Sequence, residues 1–279
     1  MLSARASAKI NLGLHVLRKR GDGFHDVETV LVPIGWSDEV TVESSRSLTF
    51  TCDDASLNNT DNLCLQAAHL LRDRTGKKKG ARIHLSKRLP YGAGLGGGSS
   101  DAAAVLRLLD QLWNLEMEDD ALAAIAAELG SDVPFFLLRS TAYATGRGVD
   151  LTPIEQDGAP LIIPYDIVVA LPNVRVSTAD AYWQVVSNDV DRPDLVALVR
   201  SLDLDRWKEE MVNDFEATVL EAIPEIAALK KSMYEAGAGY AAMSGSGSAV
   251  FGIFTDSSAA LAASEALRNH GFPVWHGKG

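Results

Sequence analysis

The chain has 279 residues, 47% of them hydrophobic and 23% charged, which is the balance of a folded protein and enough length for two domains at roughly 100–200 residues each. A formal net charge of −11 excludes a general binder of nucleic-acid backbones, which needs clustered Lys and Arg, so an anionic ligand must be met by a local site. No apolar stretch approaches the roughly 20 residues that span a bilayer. The N-terminus MLSARASAKINLGLHVLRKRGDG lacks the apolar core and small-residue cleavage site of a signal peptide, and Cys52 and Cys64 fit no metal or redox spacing. The expectation is a cytoplasmic protein with reduced cysteines that binds neither nucleic acid nor membrane.

In chain order, residues 9–17 (KINLGLHVL) alternate as a strand does, and 27–34 and 39–43 predict two more strands. Asp61 is read as the N-cap of a helix carrying Leu63, Ala67, Leu70 and Leu71, with Gly76 after its end. Lys77, Lys78 and Lys79 read as a solvated loop. Residues 81–85 (ARIHL) predict a strand entering PYGAGLGGGSSD, residues 90–101. Ser99 or Ser100 then caps a helix whose apolar face is Ala102, Val105, Leu106, Leu109 and Trp113. A further helix over 120–129 stops at Gly130.

The pattern changes around 151–165, where LTPIEQDGAPLIIPY holds three prolines. The expected domains are 1–155 and 156–279. Beyond lie a strand at 167–171, helices through 180–232, two apolar runs flanking Ser244-Gly-Ser-Gly-Ser248, a helix near 257–268 and a strand in FPVWH. Strands and helices interleave without a regular βαβ period, so the class is α+β.

Five glycines fall within seven positions, Gly92 to Gly98. Glycine loses the most freedom on folding, so a cluster implies positive φ or close backbone approach to a ligand. Consecutive N–H groups ahead of a helix N-terminus suit a phosphate. The letters satisfy GxGxxG, yet Pro90 and Tyr91 intervene after the strand, and the segment about 20 residues on joins two helices, where a dinucleotide fold needs an acidic residue after a second strand. A Walker A loop is excluded because no lysine precedes Ser99 or Ser100.

With Ala8-Lys-Ile-Asn-Leu-Gly-Leu14 before it and Ser244-Gly-Ser-Gly-Ser-Ala-Val-Phe251 after it, the loop resembles the three ordered motifs of the GHMP kinases, small-molecule kinases. Arg20-Gly-Asp-Gly-Phe-His25, Asp61-Asn-Leu63, Lys87-Arg-Leu-Pro90 and Leu129-Gly-Ser-Asp-Val-Pro-Phe135 narrow the resemblance to the branch acting on the cytidine diphosphate conjugate of methylerythritol. The resemblance spans nearly the whole chain. It implies a two-domain fold, ribosomal-protein-S5-like at the N-terminus and ferredoxin-like at the C-terminus, in a monomer or homodimer. It also implies ATP as donor, with magnesium carried by ATP rather than by a dedicated protein site.

The resemblance implies roles for individual residues. Asp132 and Lys9 become catalytic, the carboxylate taking the hydroxyl proton and the ammonium keeping it ionised. Pro90, Gly92, Gly94, Leu95, Gly96, Gly97 and Gly98 line the ATP phosphates, with Ser99 and Ser100 adding donors or touching magnesium. Asn62 and Lys87 match contacts to the ATP nucleoside. Phe24 and Tyr182 would sandwich the cytosine ring beside His25, with Asn11 and Thr178 at the sugar-alcohol end. Phe24 stands where the family usually has tyrosine, and Ser7 where it commonly has proline. Alone, Asp132 would read as a turn aspartate, Lys9 as a strand-edge lysine, His25 as a structural histidine and Lys87 as a solvated charge. The rivals are another GHMP kinase acting on mevalonate, homoserine or a sugar, a non-catalytic relative, and an NAD-dependent oxidoreductase.

Overall fold

Two strands run much further than the alternation predicts: β1 covers Leu2–Lys19 and β2 His25–Ser45, the second joining the segments expected as separate strands. The polar break at 35–38 does not end β2. Asp38 is 1% exposed, and its carboxylate Oδ1 accepts the backbone N–H groups of Arg88 and Leu89 at 2.5 and 2.7 Å, so a buried charge sits inside a strand without an unpaired acceptor there. The structure, a computed structural model, describes residues 1–278, and they form two units. One comprises Met1–Ala8, Trp36–Tyr91 and Gly96–Arg139; the other comprises Lys9–Gly35, Gly92–Leu95 and the chain from Ser140 onward.

In the first unit, β3 (Thr49–Cys52) pairs in parallel with β4 (Gly80–Ser86), and β4 pairs antiparallel with residues 39–45 of β2. Four helices complete it: α1 (Leu63–Thr75), α2 (Gly97–Trp113), α3 (Asp119–Leu129) and α4 (Val133–Leu138). The expected apolar face of α2 is buried, Ala102, Val105, Leu106, Leu109 and Trp113 joining Val40, Val42, Ile83 and Leu85 in one core. Asn62, not Asp61, is the N-cap of α1; its Oδ1 accepts the Cys64 N–H at 2.9 Å. Gly76 ends that helix in the left-handed region, φ 66°. Gly130 ends α3 with extended backbone instead. Lys77 and Lys78 are exposed, as expected, while the Lys79 ammonium donates to Trp113 O at 2.8 Å and caps α2.

The second unit holds the hairpin β5 (Ala142–Thr145) and β6 (Asp150–Pro153), with β5 paired to residues 29–31 of β2. The proline-rich stretch forms two short paired strands, β7 (Glu155–Gln156) and β8 (Ala159–Pro160). After β9 (Asp166–Ala170) come five helices, α5 (Thr178–Gln184), α6 (Leu195–Ser201), α7 (Leu204–Glu210), α8 (Glu216–Ala222) and α9 (Pro224–Glu235). The chain closes with β10 (Tyr240–Met243), β11 (Val250–Phe254), α10 (Ser257–Asn269) and β12 (Val274–Lys278). The antiparallel sheet has the order β10-β11-β9-β12, so a β-α-β-β-α-β chain order gives the expected ferredoxin-like sheet. Both faces of β9 are buried, and Val168 and Ala170 pack with Leu229, Met233, Ala260 and Ala263 of the helices.

Candidate active site

The glycine loop divides between the two units after Leu95, and each half has its own geometry. In the second unit, Gly92 and Gly94 have φ of 74° and 77°. A Cβ on Gly94 would lie 2.1 Å from Ser244 O, whereas one on Gly92 would meet nothing within 4 Å. Only glycine fits at 94, because left-handed backbone and contact with another backbone coincide there. Leu95 is 1% exposed and its carbonyl accepts the Lys9 N–H at 3.0 Å; the Ala93 carbonyl accepts the Ala249 N–H at 3.1 Å. The N-terminal and C-terminal motifs therefore both clamp this stretch by its main chain.

Lys9 is 4% exposed, so the reading of a strand-edge surface lysine fails. Its ammonium donates to Asn11 Oδ1 at 2.6 Å and to Gly94 O at 3.0 Å. Strand period 2 puts Lys9 and Asn11 on one face of β1. Asn11 Nδ2 donates to Thr29 Oγ1 at 3.0 Å, and Thr29 Oγ1 donates to Gly13 O at 2.6 Å. Ser244 Oγ donates to Gly94 O at 2.9 Å. The Gly94 carbonyl thus accepts from both the Lys9 ammonium and the Ser244 hydroxyl, which ties the N-terminal and C-terminal motifs to the loop at one atom.

Asn213, which sequence reasoning missed, holds the C-terminal loop in place. It is 2% exposed, and its Nδ2 donates to Met243 O at 2.9 Å and Gly245 O at 2.8 Å while its Oδ1 accepts the Phe215 N–H at 3.1 Å. Thr178 Oγ1 and Ser246 Oγ lie 2.9 Å apart, which brings the N-terminus of α5 to the same loop.

The cytosine candidates lie in this unit too. The His25 and Tyr182 rings stack at 5.1 Å and 23°, and Phe215 meets Tyr182 edge-on at 4.8 Å. Burial, helped by the Lys19 charge, lowers the His25 pKa, so its imidazole stays neutral and offers one donor and one acceptor. Phe24 is 49% exposed, with the Arg147 guanidinium 3.9 Å from its ring centroid. Arg147 comes from the β5–β6 turn, clipped to β2 by the Val27 N–H to Gly146 O bond of 2.8 Å; no local pattern announced it.

In the first unit, Gly96 is the N-cap of α2, with φ 70° and no side-chain cap bond, so neither Ser99 nor Ser100 caps the helix as expected. Both serines lie inside the first turn because the glycines themselves take helical backbone. Ser100 N–H donates to Gly96 O at 2.9 Å, so the N–H groups of Gly97, Gly98 and Ser99 precede the first intrahelical bond, a ready arrangement for an anion. Ser99 is half-buried and Ser100 buried; Pro90 is half-buried ahead of exposed Tyr91.

Lys87 is not a solvated charge. Its ammonium donates to Asp38 Oδ2 at 2.5 Å and to Asp101 Oδ2 at 3.0 Å, and its side chain is 8% exposed. Burial opposes its charge, but the Asp101 and Asp38 carboxylates outweigh it and raise its pKa. Asn62 is occupied as the α1 cap and also donates to Leu57 O at 3.1 Å. Asp132 lies in the turn at the N-cap position of α4, half-buried, and its side chain makes no cap bond. Lys9 and Asp132 fall in different units. Among the described residues no cluster of three or more His, Cys, Asp or Glu could hold a metal, and no helix is long and apolar enough to cross a membrane.

A helix begun by glycines, with the N–H groups of Gly97, Gly98 and Ser99 ahead of its first intrahelical bond, and the buried Lys9 of β1 are features of the GHMP kinase class. The family model described as GHMP kinases N terminal domain matches residues 62–140, and that described as GHMP kinases C terminal matches 195–272. The chain is 49% identical over 269 residues to a 4-diphosphocytidyl-2-C-methyl-D-erythritol kinase of Salinibacter ruber, covering 96% of this chain and 95% of that one. It is similar to the crystal structure of a 4-(cytidine 5'-diphospho)-2C-methyl-D-erythritol kinase, with TM-score 0.83, 38% identity, and 99% and 98% of the two chains covered. A mevalonate kinase of Methanococcus jannaschii shares the fold alone, with TM-score 0.77 at 12% identity over 99% and 97% of the two chains. The chain belongs to the 4-diphosphocytidyl-2-C-methyl-D-erythritol kinase family of the GHMP kinases.

Proposed function

We propose that the protein is an ATP-dependent kinase that phosphorylates the 2-hydroxyl of 4-diphosphocytidyl-2-C-methyl-D-erythritol, in the non-mevalonate route to isoprenoid precursors. The observation that carries this reading is the buried Lys9 ammonium donating to Asn11 Oδ1 and to the Gly94 carbonyl that also accepts from Ser244 Oγ, joined to 49% identity with a curated kinase of that substrate. In the transfer, the hydroxyl oxygen bonds to the γ-phosphorus, the bond from that phosphorus to the β–γ bridging oxygen breaks, and ADP leaves. Asp132 accepts the hydroxyl proton, and the Lys9 ammonium holds the hydroxyl in line.

The N–H groups from Gly97 to Ser99 and the Ser99 and Ser100 hydroxyls receive the triphosphate, and magnesium arrives with ATP. Phe24, His25 and Tyr182 take the cytosine, with Asn11 and Thr178 towards the sugar alcohol. Residues 1–155 and 156–279 serve as its two domains, in a cytoplasmic monomer or homodimer. The test is ADP release with the cytidine diphosphate conjugate, mevalonate and homoserine offered side by side. Turnover of the conjugate alone is expected; turnover only of mevalonate or homoserine would overturn the assignment.

A further inference from the structure

The Asp38–Lys87–Asp101 cluster lies directly under the start of α2. A Cβ on Gly97 would lie 3.2 Å from Lys87 Nζ and 3.4 Å from Leu89 Cβ. The ammonium therefore lies on the side of Gly97 where a side chain would stand, beside the first helical residue, one of those whose N–H groups lack an intrahelical partner. The cluster is fixed from three further segments. Asp38 in β2 takes the N–H groups of Arg88 and Leu89, Asp101 lies in the first turns of α2 itself, and Asp53, just after β3, accepts the Lys87 N–H at 2.8 Å. Asp38 and Asp101 are 1% and 2% exposed. Two carboxylates share one ammonium beneath a site suited to an anion, so the cluster carries an excess negative charge only when both are ionised. Asp101 Oδ1 is buried with no hydrogen-bond partner.

We infer that Asp38 and Asp101 are positioning residues for the nucleotide: they clamp the Lys87 ammonium against Gly97, and Lys87 acts on ATP through the loop backbone rather than by touching the base. The inference rests on the proposed ATP-dependent function. A buried ion pair is weak evidence for stability, because desolvation offsets its Coulomb gain; fixing one geometry is the better-attested use. The charge state follows from the same packing. Burial, more than Lys87 can offset and with Asp38 adding to it, pushes the Asp101 carboxyl up to about 7. The other groups facing the cluster are Lys87 and Asp38 themselves, Asp53, Asp54, and the Cys52 and Cys64 thiols, both pushed up by burial and so neutral. Above neutral pH the cluster gains a full negative charge under the phosphates.

The test uses full-length protein and titrates fluorescent methylanthraniloyl-ATP and methylanthraniloyl-GTP, alongside kinetics, for Asp101→Ala, Asp101→Asn and Lys87→Met. Asp101→Ala is expected to weaken both nucleotides by the same factor, about tenfold for one lost charge-assisted bond, with kcat and the acceptor KM within about threefold. Asp101→Asn keeps an acceptor for the ammonium and is expected to recover most of that loss. In the wild type the ATP KM should rise about three- to tenfold as pH passes through neutrality, and in Asp101→Asn this rise should vanish. A changed ATP-to-GTP ratio in Lys87→Met, or an Asp101→Asn profile that keeps the rise, would overturn the inference. If Asp101→Ala does not fold, the Asp101→Asn profile decides alone. Wild-type protein that binds no nucleotide would sink the kinase reading instead.

Discussion

The Lys9 ammonium and the Asn11 amide oxygen, two residues apart on one face of β1, are joined by a 2.6 Å hydrogen bond in which both side chains are buried. Asn11 thereby orients the lysine from one side and grips Thr29 from the other. Replacing Asn11 with Leu removes its charge-assisted bond to the Lys9 ammonium and its Nδ2 bond to Thr29, which costs about 1–3 kcal/mol. Asn11→Leu is expected to lower kcat more than tenfold and to lower the melting temperature, read by steady-state kinetics and differential scanning calorimetry. Unchanged kcat would separate Asn11 from the orientation of Lys9.

Asp132→Asn tests the base. General base catalysis supplies about 10²–10⁴-fold, so kcat should fall by most of that factor while both substrates still bind, as isothermal titration can show. A kcat within threefold of wild type would remove Asp132 from the proton transfer.

Two of the loop's three left-handed glycines, Gly92 and Gly94, make a matched pair. Gly92→Ala introduces only the strain of a left-handed residue, about 1–2 kcal/mol. Gly94→Ala adds a collision at 2.1 Å with Ser244 O, which backbone must move to relieve. Thermal melts should therefore show a clearly larger loss for Gly94→Ala, and equal losses would contradict the clamped loop.

Phe24 offers an exposed ring backed by Arg147. Base–aromatic stacking is worth about 1–3 kcal/mol, so Phe24→Ala should raise the KM of the cytidine substrate about five- to 150-fold and leave the KM of ATP unchanged. Parallel rises in both would indicate a collapsed loop rather than a lost stacking partner.

His15 gives a pH signature. It is fully buried with neither ring nitrogen hydrogen-bonded, 3.7 Å from Glu28. Burial first, then the Arg192 charge, lowers its pKa below 6.5, against the smaller raising effects of Asp214 and Glu28. The unfolded chain then binds more protons than the folded one below pH 6.5. Stability from this group is complete above that value and is lost as pH falls towards the folded pKa, at up to about 1.4 kcal/mol per pH unit. Denaturant midpoints between pH 8 and 5 should show a steeper acid loss in the wild type than in His15→Phe, and identical slopes would refute the assignment.

Much of the fold could be read from local pattern. The apolar face of α2, the α+β class and the strands flanking the C-terminal serine-glycine loop all follow from spacing between near neighbours. Where the reading slipped, a contact from elsewhere had changed a local preference. Asp38 stays within a strand because Arg88 and Leu89 satisfy it, and the helix starts at the glycines rather than at a serine cap.

The chemistry divides in the same way. The glycine loop is a property of a short segment whose residue types and spacing already imply phosphate chemistry, whereas Lys9 and Asn11 draw their roles only from the resemblance carried by the ordered motifs. Tertiary packing alone brought Asp38 and Asp101 to Lys87 across 49 and 14 positions, Asn213 to the carbonyls of Met243 and Gly245, and Arg147 to Phe24. Such partners are chosen by burial and by the need to satisfy buried charges and donors, and that need exists only once the chain has folded around them.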